Sequence, residues 1–438
     1  MNACNLQPRA LPRGFIVTLL ACWIAGAARA QDHPGGSFLS APATVSVEEL
    51  VQQVQRSNPE LDFYRAEIAA ARAGRKAAGR WENPEVSAEL GSKRVWERHG
   101  PALGDGLVWS VAVAQPFEWP GRIALRKAIA DRQIEMAELG LEQFQAALTS
   151  RARSLAYAVL AARLRADAAQ EVAARCRAVL DVLVQREPAG VAPLLEQRIL
   201  EADSITLNRR ATEAEREVQS ALLELNQLRG QPAGAPLKVV GQIVVPTNLP
   251  PLARLLEVAL TNNFEIRQRQ VELAQQGFQV RLAQNERYPR VTLAPFYATE
   301  KANDEQRIVG VGVSLPLPLW NRNQDAVALA TARQQQAEAS LQVMCRAVER
   351  QVTEHALALA TRLAEIARWR PGAQAELRAA AELADRHYRL GAVPLATYLE
   401  MQRQYLEALE ALLATQREAW EHRQQLELLA GRPLEGIE

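Results

Sequence analysis

The sequence predicts a mainly α-helical protein with a small β part, in which a helix, two strands and a long helical hairpin occur twice. Three observations support this fold class. Sequence motifs recur in the same order at an interval of about 200 residues. Two stretches of roughly 60 residues are almost free of Gly and Pro, as very long helices require. Four short segments alternate apolar with small or polar residues, as strands do.

Charge and composition exclude some classes of protein. Lys plus Arg number 51 and Asp plus Glu number 50, which gives a formal net charge of +1. This balance provides no electrostatic reason to expect nucleic acid as a partner. Aromatic residues make up only 5% of the chain, and Ala, Leu, Gln, Glu and Arg dominate, a mixture typical of long helices and coiled coils.

The first thirty residues predict an export signal. Arg9 and Arg13 precede an apolar stretch over residues 14–28, and a small-x-small cleavage motif ends at Ala30. Cys22 leaves lipoprotein acylation as an alternative, but the apolar stretch continues past it, which suits ordinary cleavage better. Because no later segment approaches the roughly 18 consecutive apolar residues of a membrane helix, any membrane crossing is expected to use strands.

Matched motifs define two copies, over residues 45–230 and 250–431. Asn58-Pro59-Glu60-Leu61 corresponds to Asn263-Phe264-Glu265-Ile266. Further matches, in the same order, are Pro84-Glu85-Val86 with Pro289-Arg290-Val291, Val111-Ala112-Val113 with Val311-Gly312-Val313, Arg122 with Arg322, Gly190-Val191-Ala192-Pro193-Leu194 with Gly391-Ala392-Val393-Pro394-Leu395, and Leu228-Arg229-Gly230 with Leu429-Ala430-Gly431. We therefore predict a tandem duplication, flanked by irregular residues 31–44, a linker at 231–249 and a tail at 432–438.

Each copy opens with a helix. Ser57-Asn58-Pro59-Glu60 offers a polar cap, Pro in the first turn and a Glu three residues after the Ser. Asn262 with Glu265 predicts the same box in the second copy. Both helices are expected to end at an x-Pro step, Asn83-Pro84 and Tyr288-Pro289.

Two strands follow in each copy. Their expected bounds are about 84–96, 106–118, 289–300 and 306–318. In the last of them Val309, Val311 and Val313 alternate with small residues, and this period of two gives the strand one apolar face. A half-buried sheet on a soluble core would show the same pattern.

A helical hairpin completes each copy, at about 121–230 and 321–431. From Arg122 to Glu187 there is one Gly and no Pro, which predicts a helix roughly 100 Å long. In the second copy only Pro371-Gly372 interrupts the corresponding helix. Such lengths exceed any ordinary domain, so the apolar faces must meet other long helices.

The last helix carries two apolar rows. One runs from Leu395 to Trp420 and the other from Tyr398 to Leu429, both with alternating spacings of three and four. Two adjacent rows allow a helix to pack against neighbours on both sides, as in a barrel of helices. A wide stripe that faces a solid bundle is the alternative.

Membrane constraints then predict the oligomer. Four strands in one chain leave two open edges, and unpaired backbone groups cannot face hydrocarbon. Two chains would give a barrel of eight strands, and side chains would fill the interior of such a barrel. Three chains give twelve strands, the smallest number expected to leave a passage. We therefore predict a homotrimer in which a 12-stranded β-barrel is continued by a 12-helix α-barrel.

The duplicated strand pair leading into a long helical hairpin resembles the TolC family of outer-membrane efflux factors, over the whole sequence after the export signal. The segment Pro316-Leu317-Pro318-Leu319-Trp320-Asn321-Arg322-Asn323-Gln324 is similar to the strand-to-helix corner of the CzcC-like heavy-metal branch. Gln115-Pro116-Phe117-Glu118-Trp119-Pro120-Gly121-Arg122 is its first-copy equivalent. Asp325 departs from the Gly that this branch often has there.

The resemblance implies a passive export duct, the outer-membrane component of a tripartite efflux system. Such a trimer would lie in outer-membrane lipid, extend into the periplasm, and bind a periplasmic adaptor protein and an inner-membrane pump, which we expect to be of the RND type. The CzcC-like corner favours heavy-metal cations as cargo. Neither nucleic acid nor a cofactor is expected.

The resemblance also implies two groups of functional residues. The hairpin turns would form the periplasmic tips that contact the adaptor, through Gly190, Val191, Gly391, Ala392 and Val393. Relatives narrow the pore with acidic side chains just after the second tip, at positions that are Thr397 and Glu400 here. A ring of three Glu400 carboxylates is therefore expected, and Glu196, the counterpart of Thr397, would add a second ring. The alternative is that these residues are ordinary solvated surface residues.

Other function classes have less support. The histidines are His33, His99, His355, His387 and His422, and they lack the spacing of metal ligands. Neither a glycine-rich phosphate loop nor a nucleophile-elbow motif is present, so no catalytic residues are expected. A periplasmic adaptor remains an alternative because adaptors also contain a long helical hairpin, but they do not repeat hairpin and strands in tandem. A soluble coiled-coil scaffold is the other alternative, against which the export signal and the alternating strands argue.

Overall fold

A computed structural model describes residues 43–96, 100, 102–185, 191–243, 245–302, 304–370 and 372–437. The predicted signal peptide, Cys22 and residues 31–42 lie outside this set. The elements, in chain order, are β1 (Ala43–Ser46), α1 (Val47–Ser57), α2 (Glu60–Ala78), β2 (Glu85–Trp96), β3 (Ala102–Phe117), α3 (Arg122–Gln185), α4 (Val191–Leu228), β4 (Leu237–Val240), α5 (Leu252–Asn262), α6 (Phe264–Asn285), β5 (Val291–Lys301), β6 (Glu305–Ser314), α7 (Gln324–Arg368), α8 (Ala373–Arg389), α9 (Leu395–Ala430) and a short 3-10 turn (Leu434–Gly436). The expectation of a mainly helical chain with a small β part is confirmed.

Helix α3 contacts the helices of both halves of the chain. Its 64 residues extend about 96 Å at 1.5 Å per residue. Helix α4 packs antiparallel along α3. This direction is shown by the ion pairs of Arg151 with Glu224 and of Arg165 with Glu217. Helix α9 also lies antiparallel to α3, with Tyr157 stacked on Trp420 at a centroid distance of 4.5 Å.

The core consists of several apolar clusters along the helices. One joins α3, α4, α8 and α9 around Val172, Leu200, Ala381 and Leu409. A second joins α5, α6, α7 and α9 around Ile266, Leu359 and other apolar residues. Repeated small clusters are what long, thin helices require, since no single centre can bury faces of this length.

The sequence does not predict β1 and β4. Residues 237–240 lie within the segment expected to be an irregular linker, and they pair in parallel with β1. Val45, Leu237 and Val239 are buried against α3. Four-residue strands flanked by Gly and Pro give too short a pattern to be recognised from the sequence alone.

Helix starts differ by one residue from the predicted boxes. The Asn58 side chain accepts from the amide of Glu60 at 2.9 Å, and Asn263 caps α6. The Ser57 hydroxyl instead donates to carbonyl oxygens in α1 and at Arg229, and the Asn262 amide donates to the carbonyl of Val258. The side chains of Ser57 and Asn262 therefore do not cap α2 and α6. They lie at the ends of α1 and α5, which stop immediately before α2 and α6, and they bond to other carbonyl oxygens there.

The four remaining strands form one antiparallel sheet in the order β2-β3-β5-β6. The pairs β2–β3 and β5–β6 are hairpins, and β3–β5 joins them. No helix in the described part of the chain is long and apolar enough to cross a membrane.

Candidate functional site

One face of the four-stranded sheet is apolar and exposed. Its side chains are Val86, Ala88 and Leu90 on β2, Leu107, Trp109, Val111 and Val113 on β3, Leu293, Pro295 and Tyr297 on β5, and Val309, Val311 and Val313 on β6. Exposed apolar patches of this extent mark a surface that contacts lipid or protein. The alternative left open by the sequence, a half-buried sheet whose apolar face lies on a soluble core, is not what the described residues show.

The opposite face carries mostly small and polar side chains, with Phe296 and Ile308 as large apolar exceptions. Lys93 pairs with Glu300 across the intervening strand β3, and the Ser110 hydroxyl donates to Glu89 at 3.4 Å. On β3, Ser110 is half-buried whereas the apolar Val111 is exposed, which is the reverse of the distribution in a water-soluble sheet. The ring of Phe296 lies over Gly310, where an added Cβ would lie 2.7 Å from the ring.

Aromatic side chains flank the apolar face at its helix end. The rings of Trp81 and Phe117 meet edge to face at 5.8 Å, and Trp119 stacks on Tyr288 at 4.7 Å. Trp320 is 94% exposed. From Phe117 to Leu107 the strand is about 33 Å long, which corresponds to a height of about 23 Å at a tilt of 45°. An apolar band of about 25 Å bordered by aromatic residues is the pattern of transmembrane strands.

The sheet has two open edges. Strands β2 and β6 are terminal in the strand order and each pairs with one neighbour within the described chain. Their outward backbone groups therefore need another partner wherever water is excluded. The apolar face and the open edges belong to the same four strands.

A buried arginine fixes the corner where the sheet meets the helices. The Arg122 guanidinium donates to the Asn285 side chain at 3.1 Å and to the carbonyl oxygen of Tyr288 at 2.8 Å. The Asn285 amide donates in turn to the carbonyl of Pro120 at 3.1 Å. The first turn of α3 is thus tied to the C-terminal end of α6, in the other half of the chain, by charge-assisted bonds to helix-terminal oxygens.

The residues of the expected tips lie at the far end of the hairpins. Gly190 is outside the described residues, and Val191 begins α4. Gly391 has a φ of 74°, and the amide of Ala392 donates to the carbonyl of His387 at 2.8 Å, so this turn closes the end of α8. Val393 is half-buried there.

The expected constriction residues occupy two different helices. Thr397 and Glu400 are exposed near the start of α9, and Glu196 is half-buried near the start of α4. Glu400 accepts from Gln404 at 2.8 Å, one helical turn further on. A single chain therefore presents these side chains but does not itself assemble a ring.

One pair of titratable residues was not predicted. The Nδ1 atoms of His355 on α7 and His422 on α9 lie 3.1 Å apart. Burial, and secondarily the neighbouring His422, lower the pKa of His355, which favours a neutral ring. The sequence places His422 in an apolar row of the last helix, and only the register between α7 and α9 brings it next to His355. Among the described residues no cluster of three or more metal-ligating groups is present.

Comparisons with known proteins agree with this architecture. Residues 255–432 match the family model for outer membrane efflux proteins. A comparison with curated protein sequences finds no match.

Several solved structures share the fold. One is a membrane protein from Pseudomonas aeruginosa, with a TM-score of 0.72 and 19% identity over 88% of this chain and 90% of that one. The Campylobacter jejuni CmeC outer membrane channel has a TM-score of 0.69 and 15% identity over 88% of this chain and 85% of that one. The open state of the Neisseria gonorrhoeae MtrE outer membrane channel has a TM-score of 0.69 and 16% identity over 89% of both chains. The chain therefore has the fold of these channel protomers.

Proposed function

We propose that this chain is one protomer of a homotrimeric outer-membrane channel, the passive exit duct of a tripartite efflux system. The observation that carries the proposal is the exposed apolar face on a sheet with two open edges. Lipid would cover that face, and neighbouring protomers would pair with the edges. The family match over residues 255–432 and the fold of CmeC and MtrE support the same location and role.

In this proposal the chain is a tandem duplication, and three copies complete a 12-stranded β-barrel and a 12-helix α-barrel. The element order supports the duplication, because helix, two strands and a long helical hairpin occur twice. The hairpin turns would lie in the periplasm and contact an adaptor protein, with an inner-membrane pump of the RND type supplying the energy. Glu400 would form an acidic ring around the pore.

Heavy-metal cations are the cargo class that we propose. The support is the similarity of the corner at residues 316–324 to the CzcC-like branch. A ring of carboxylates would attract cations of any kind. We assign no catalytic role to any residue, since transport through a duct requires no chemical step.

Location and assembly can be tested together. The protein, expressed with its own N-terminus, should sediment with outer membranes and require detergent for extraction. Its mass in detergent, after subtraction of the bound detergent, should equal three chains. A chain that stays in the soluble periplasmic fraction as a monomer would overturn the proposal, and a soluble oligomer would favour the coiled-coil scaffold instead.

Cargo needs a separate experiment. Deletion of the gene should increase sensitivity to particular divalent metal salts, and the wild-type gene should restore resistance. Sensitivity to drugs alone, with unchanged metal tolerance, would reject the metal assignment while leaving the duct in place.

A further inference from the structure

The internal correspondence between the two halves of the chain predicts how neighbouring protomers pair. In the chain, β3 pairs with β5, and Val111 lies opposite Tyr297 and Phe117 opposite Val291. The counterparts of β3 and β5 in the sequence repeat are β6 and β2, which are the two open edges. The pairing that joins the two halves of one chain therefore has a second, equivalent pair of strands, β6 and β2, that are not paired with each other within the chain. Another copy of the chain can provide the missing partner.

We propose that β6 of one protomer pairs antiparallel with β2 of the next in one specific register, with Val313 opposite Leu90 and Leu317 opposite Val86. This inference rests on the proposed trimer and deepens it. The match of Val111 with Val311 relates β3 to β6, and the match of Pro289 with Pro84 relates β5 to β2. Replacing each residue of the β3–β5 pairs by its counterpart gives this register. It places apolar side chains of both strands on the same face of the sheet.

Side-chain exposure supports the pairing. On the edge strands Val86, Leu90, Val309, Val311 and Val313 are 71, 77, 79, 66 and 67% exposed, whereas on the inner strands Trp109, Val111, Val113, Leu293 and Tyr297 are 37, 37, 40, 37 and 37% exposed. Each edge strand lacks the second neighbour that covers the side chains of an inner strand. Strand β6 also ends at Ser314, although its counterpart β3 continues to Phe117. Pairing with β2 would extend β6 through Leu315 and Leu317, which are now exposed.

The helices show the same relationship: residues that meet within the chain have counterparts in the sequence repeat that are exposed. Gln268 on α6 donates to Gln143 on α3 at 3.0 Å within the chain. Their counterparts are Phe63 and Val343, two apolar residues that are 67% and 69% exposed. Arg322, the counterpart of the buried Arg122, is likewise exposed. In the proposed trimer Val343 of one protomer would contact Phe63 of the next, and Arg322 of the first would bind the C-terminal end of α2 in the next.

Barrel geometry limits the alternatives. In a closed barrel, the register of the strand pairs determines how steeply the strands tilt. For twelve strands about 4.8 Å apart, the proposed register gives a tilt of roughly 45°. A register with Val313 opposite Ser92 would raise the tilt to roughly 54°, outside the 35–45° of membrane barrels. A register with Val313 opposite Ala88 would give roughly 35°, so it is the competitor that an experiment must separate.

Cysteine pairs test the register. Val313→Cys with Leu90→Cys should form disulfide-linked trimers on mild oxidation, because directly opposed Cβ atoms, about 4.5–5.5 Å apart, come close to the distance that a disulfide needs, whereas diagonal neighbours are about 7–8 Å apart. Val313→Cys with Ala88→Cys or with Ser92→Cys are the matched controls and should cross-link severalfold less. The readout is the covalent trimer on a non-reducing denaturing gel, with Cys176 and Cys345 replaced by Ala in every variant.

The outcomes separate this inference from the proposed function. Preferential cross-linking of a control pair in a protein that is still trimeric would overturn the register alone. A wild-type protein that is monomeric in detergent would overturn the trimer itself. If the strand variants fail to assemble, Phe63→Cys with Val343→Cys tests the same correspondence on the helices, and absence of cross-linking there would also count against it.

A second inference concerns His355 and His422 and does not depend on the trimer. Their Nδ1 atoms, on two antiparallel helices, are 3.1 Å apart. Two imidazole nitrogens bound to one ion at about 2.0–2.1 Å, with an angle near 100–110° between them, are about 3.1–3.4 Å apart. We propose that the two rings bind one borderline transition-metal ion, of the Cu²⁺, Ni²⁺ or Zn²⁺ class, between α7 and α9, with water in the remaining positions.

The surroundings suit such an ion. Both residues are half-buried, so water has partial access to the pair. The neighbouring carboxylates on the two helices have arginine partners: Glu354 with Arg350 at 2.8 Å, Glu421 with Arg417 at 3.5 Å, and Glu418 with Arg362 at 2.7 Å. Nitrogen ligands without carboxylate or thiolate favour Cu²⁺ over the other divalent ions.

Copper binding provides the direct test. The purified protein, carrying no histidine tag, should bind one Cu²⁺ per chain at this site, with the electron paramagnetic resonance signature of two imidazole nitrogens. His355→Ala and His422→Ala should each weaken this binding by at least about tenfold, the lower end of what loss of an outer-shell partner costs. The matched control is His387→Ala, because His387 is exposed on α8.

Zinc provides a second readout. Zn²⁺ should raise the thermal unfolding midpoint of the wild type and of His387→Ala, but not of His422→Gln, because an ion held by both helices binds only the folded state. Unchanged Cu²⁺ affinity in both variants of the pair, or the absence of a two-imidazole signature in the wild type, would show that the rings only share a hydrogen bond.

Discussion

The side-chain amide of Asn263 donates to the carbonyl oxygen of Leu429 at 3.0 Å, across 166 residues of sequence. The side-chain amide of Asn58 donates in the same way to the carbonyl of Leu228 at 3.0 Å. Each Asn also accepts from the first amides of the helix that follows it. In each half of the chain, two matched sequence motifs are therefore in direct contact, and one side chain joins the start of the half to its end.

Asn263→Ala should destabilise the protein by about 2–4 kcal/mol, because it removes a helix cap and leaves the half-buried carbonyl of Leu429 without this donor. Denaturant or thermal unfolding measures the change. The control is Asn262→Ala, next to it, whose amide bonds only within its own helix and whose loss should cost about 1 kcal/mol or less. Equal effects of the two substitutions would contradict this role of Asn263.

Three glycines form a graded series. Gly431 has a φ of 66°, and an added Cβ would lie 2.5 Å from the carbonyl oxygen of Asn262. Gly372 has a φ of 87° with open space around it, and Gly234 has open space without an unusual φ. Substitution by Ala should therefore be near neutral at Gly234, cost about 1–2 kcal/mol at Gly372, and cost more at Gly431. Unfolding midpoints that do not follow this order would refute the assignment of backbone strain and close approach.

The two cysteines of the helical region should differ in reactivity. Cys176 is buried, its sulfur lies 3.5 Å from the Tyr398 hydroxyl, and burial raises the pKa of its thiol. Because the thiolate is the reactive form, Cys176 should resist alkylation at pH 8 in the folded protein. The half-buried Cys345 is the internal control and should react faster. Peptide mapping after timed maleimide labelling measures both, and both should react after unfolding in guanidinium.

Glu400 should influence ion selectivity in the proposed trimer. In a planar bilayer, Glu400→Gln should lower the cation-to-anion permeability ratio severalfold, because three carboxylates around one axis attract cations and repel anions. Glu410→Gln, an exposed glutamate further along α9, is the matched control and should leave the reversal potential unchanged. If the two variants behave alike, Glu400 is a solvated surface residue.

The long helices and the strands could be predicted because their signals are local. Alternation at Val309, Val311 and Val313 predicts a strand, and these residues lie in β6. Pro371-Gly372 marks the only interruption of this long helix in the sequence, and in the structure α7 ends at Arg368 and α8 begins at Ala373. The two apolar rows of α9 are packed as well, with Leu406 and Leu413 buried in the first row and Tyr405 and Leu426 in the second.

The sites depended on information that is not local. His355 and His422 are neighbours because α7 and α9 lie antiparallel in one particular register, and no spacing in the sequence encodes that register. The same applies to Arg122, whose three acceptor oxygens lie more than 160 residues further along the chain. The predicted caps at Ser57 and Asn262 were one residue early, since each of these side chains forms a different bond in the folded chain.

Periodicity and chain length by themselves determined that this protein has two sets of paired strands, several long helices and one helix of about 100 Å, because the pattern of apolar residues follows directly from backbone geometry. Only the tertiary structure decided that the apolar face of the sheet is exposed rather than buried, and which distant side chains meet. Those outcomes depend on how the helices align along their lengths, and many alignments bury similar apolar area, so polar contacts such as that of Asn263 with Leu429 distinguish among them.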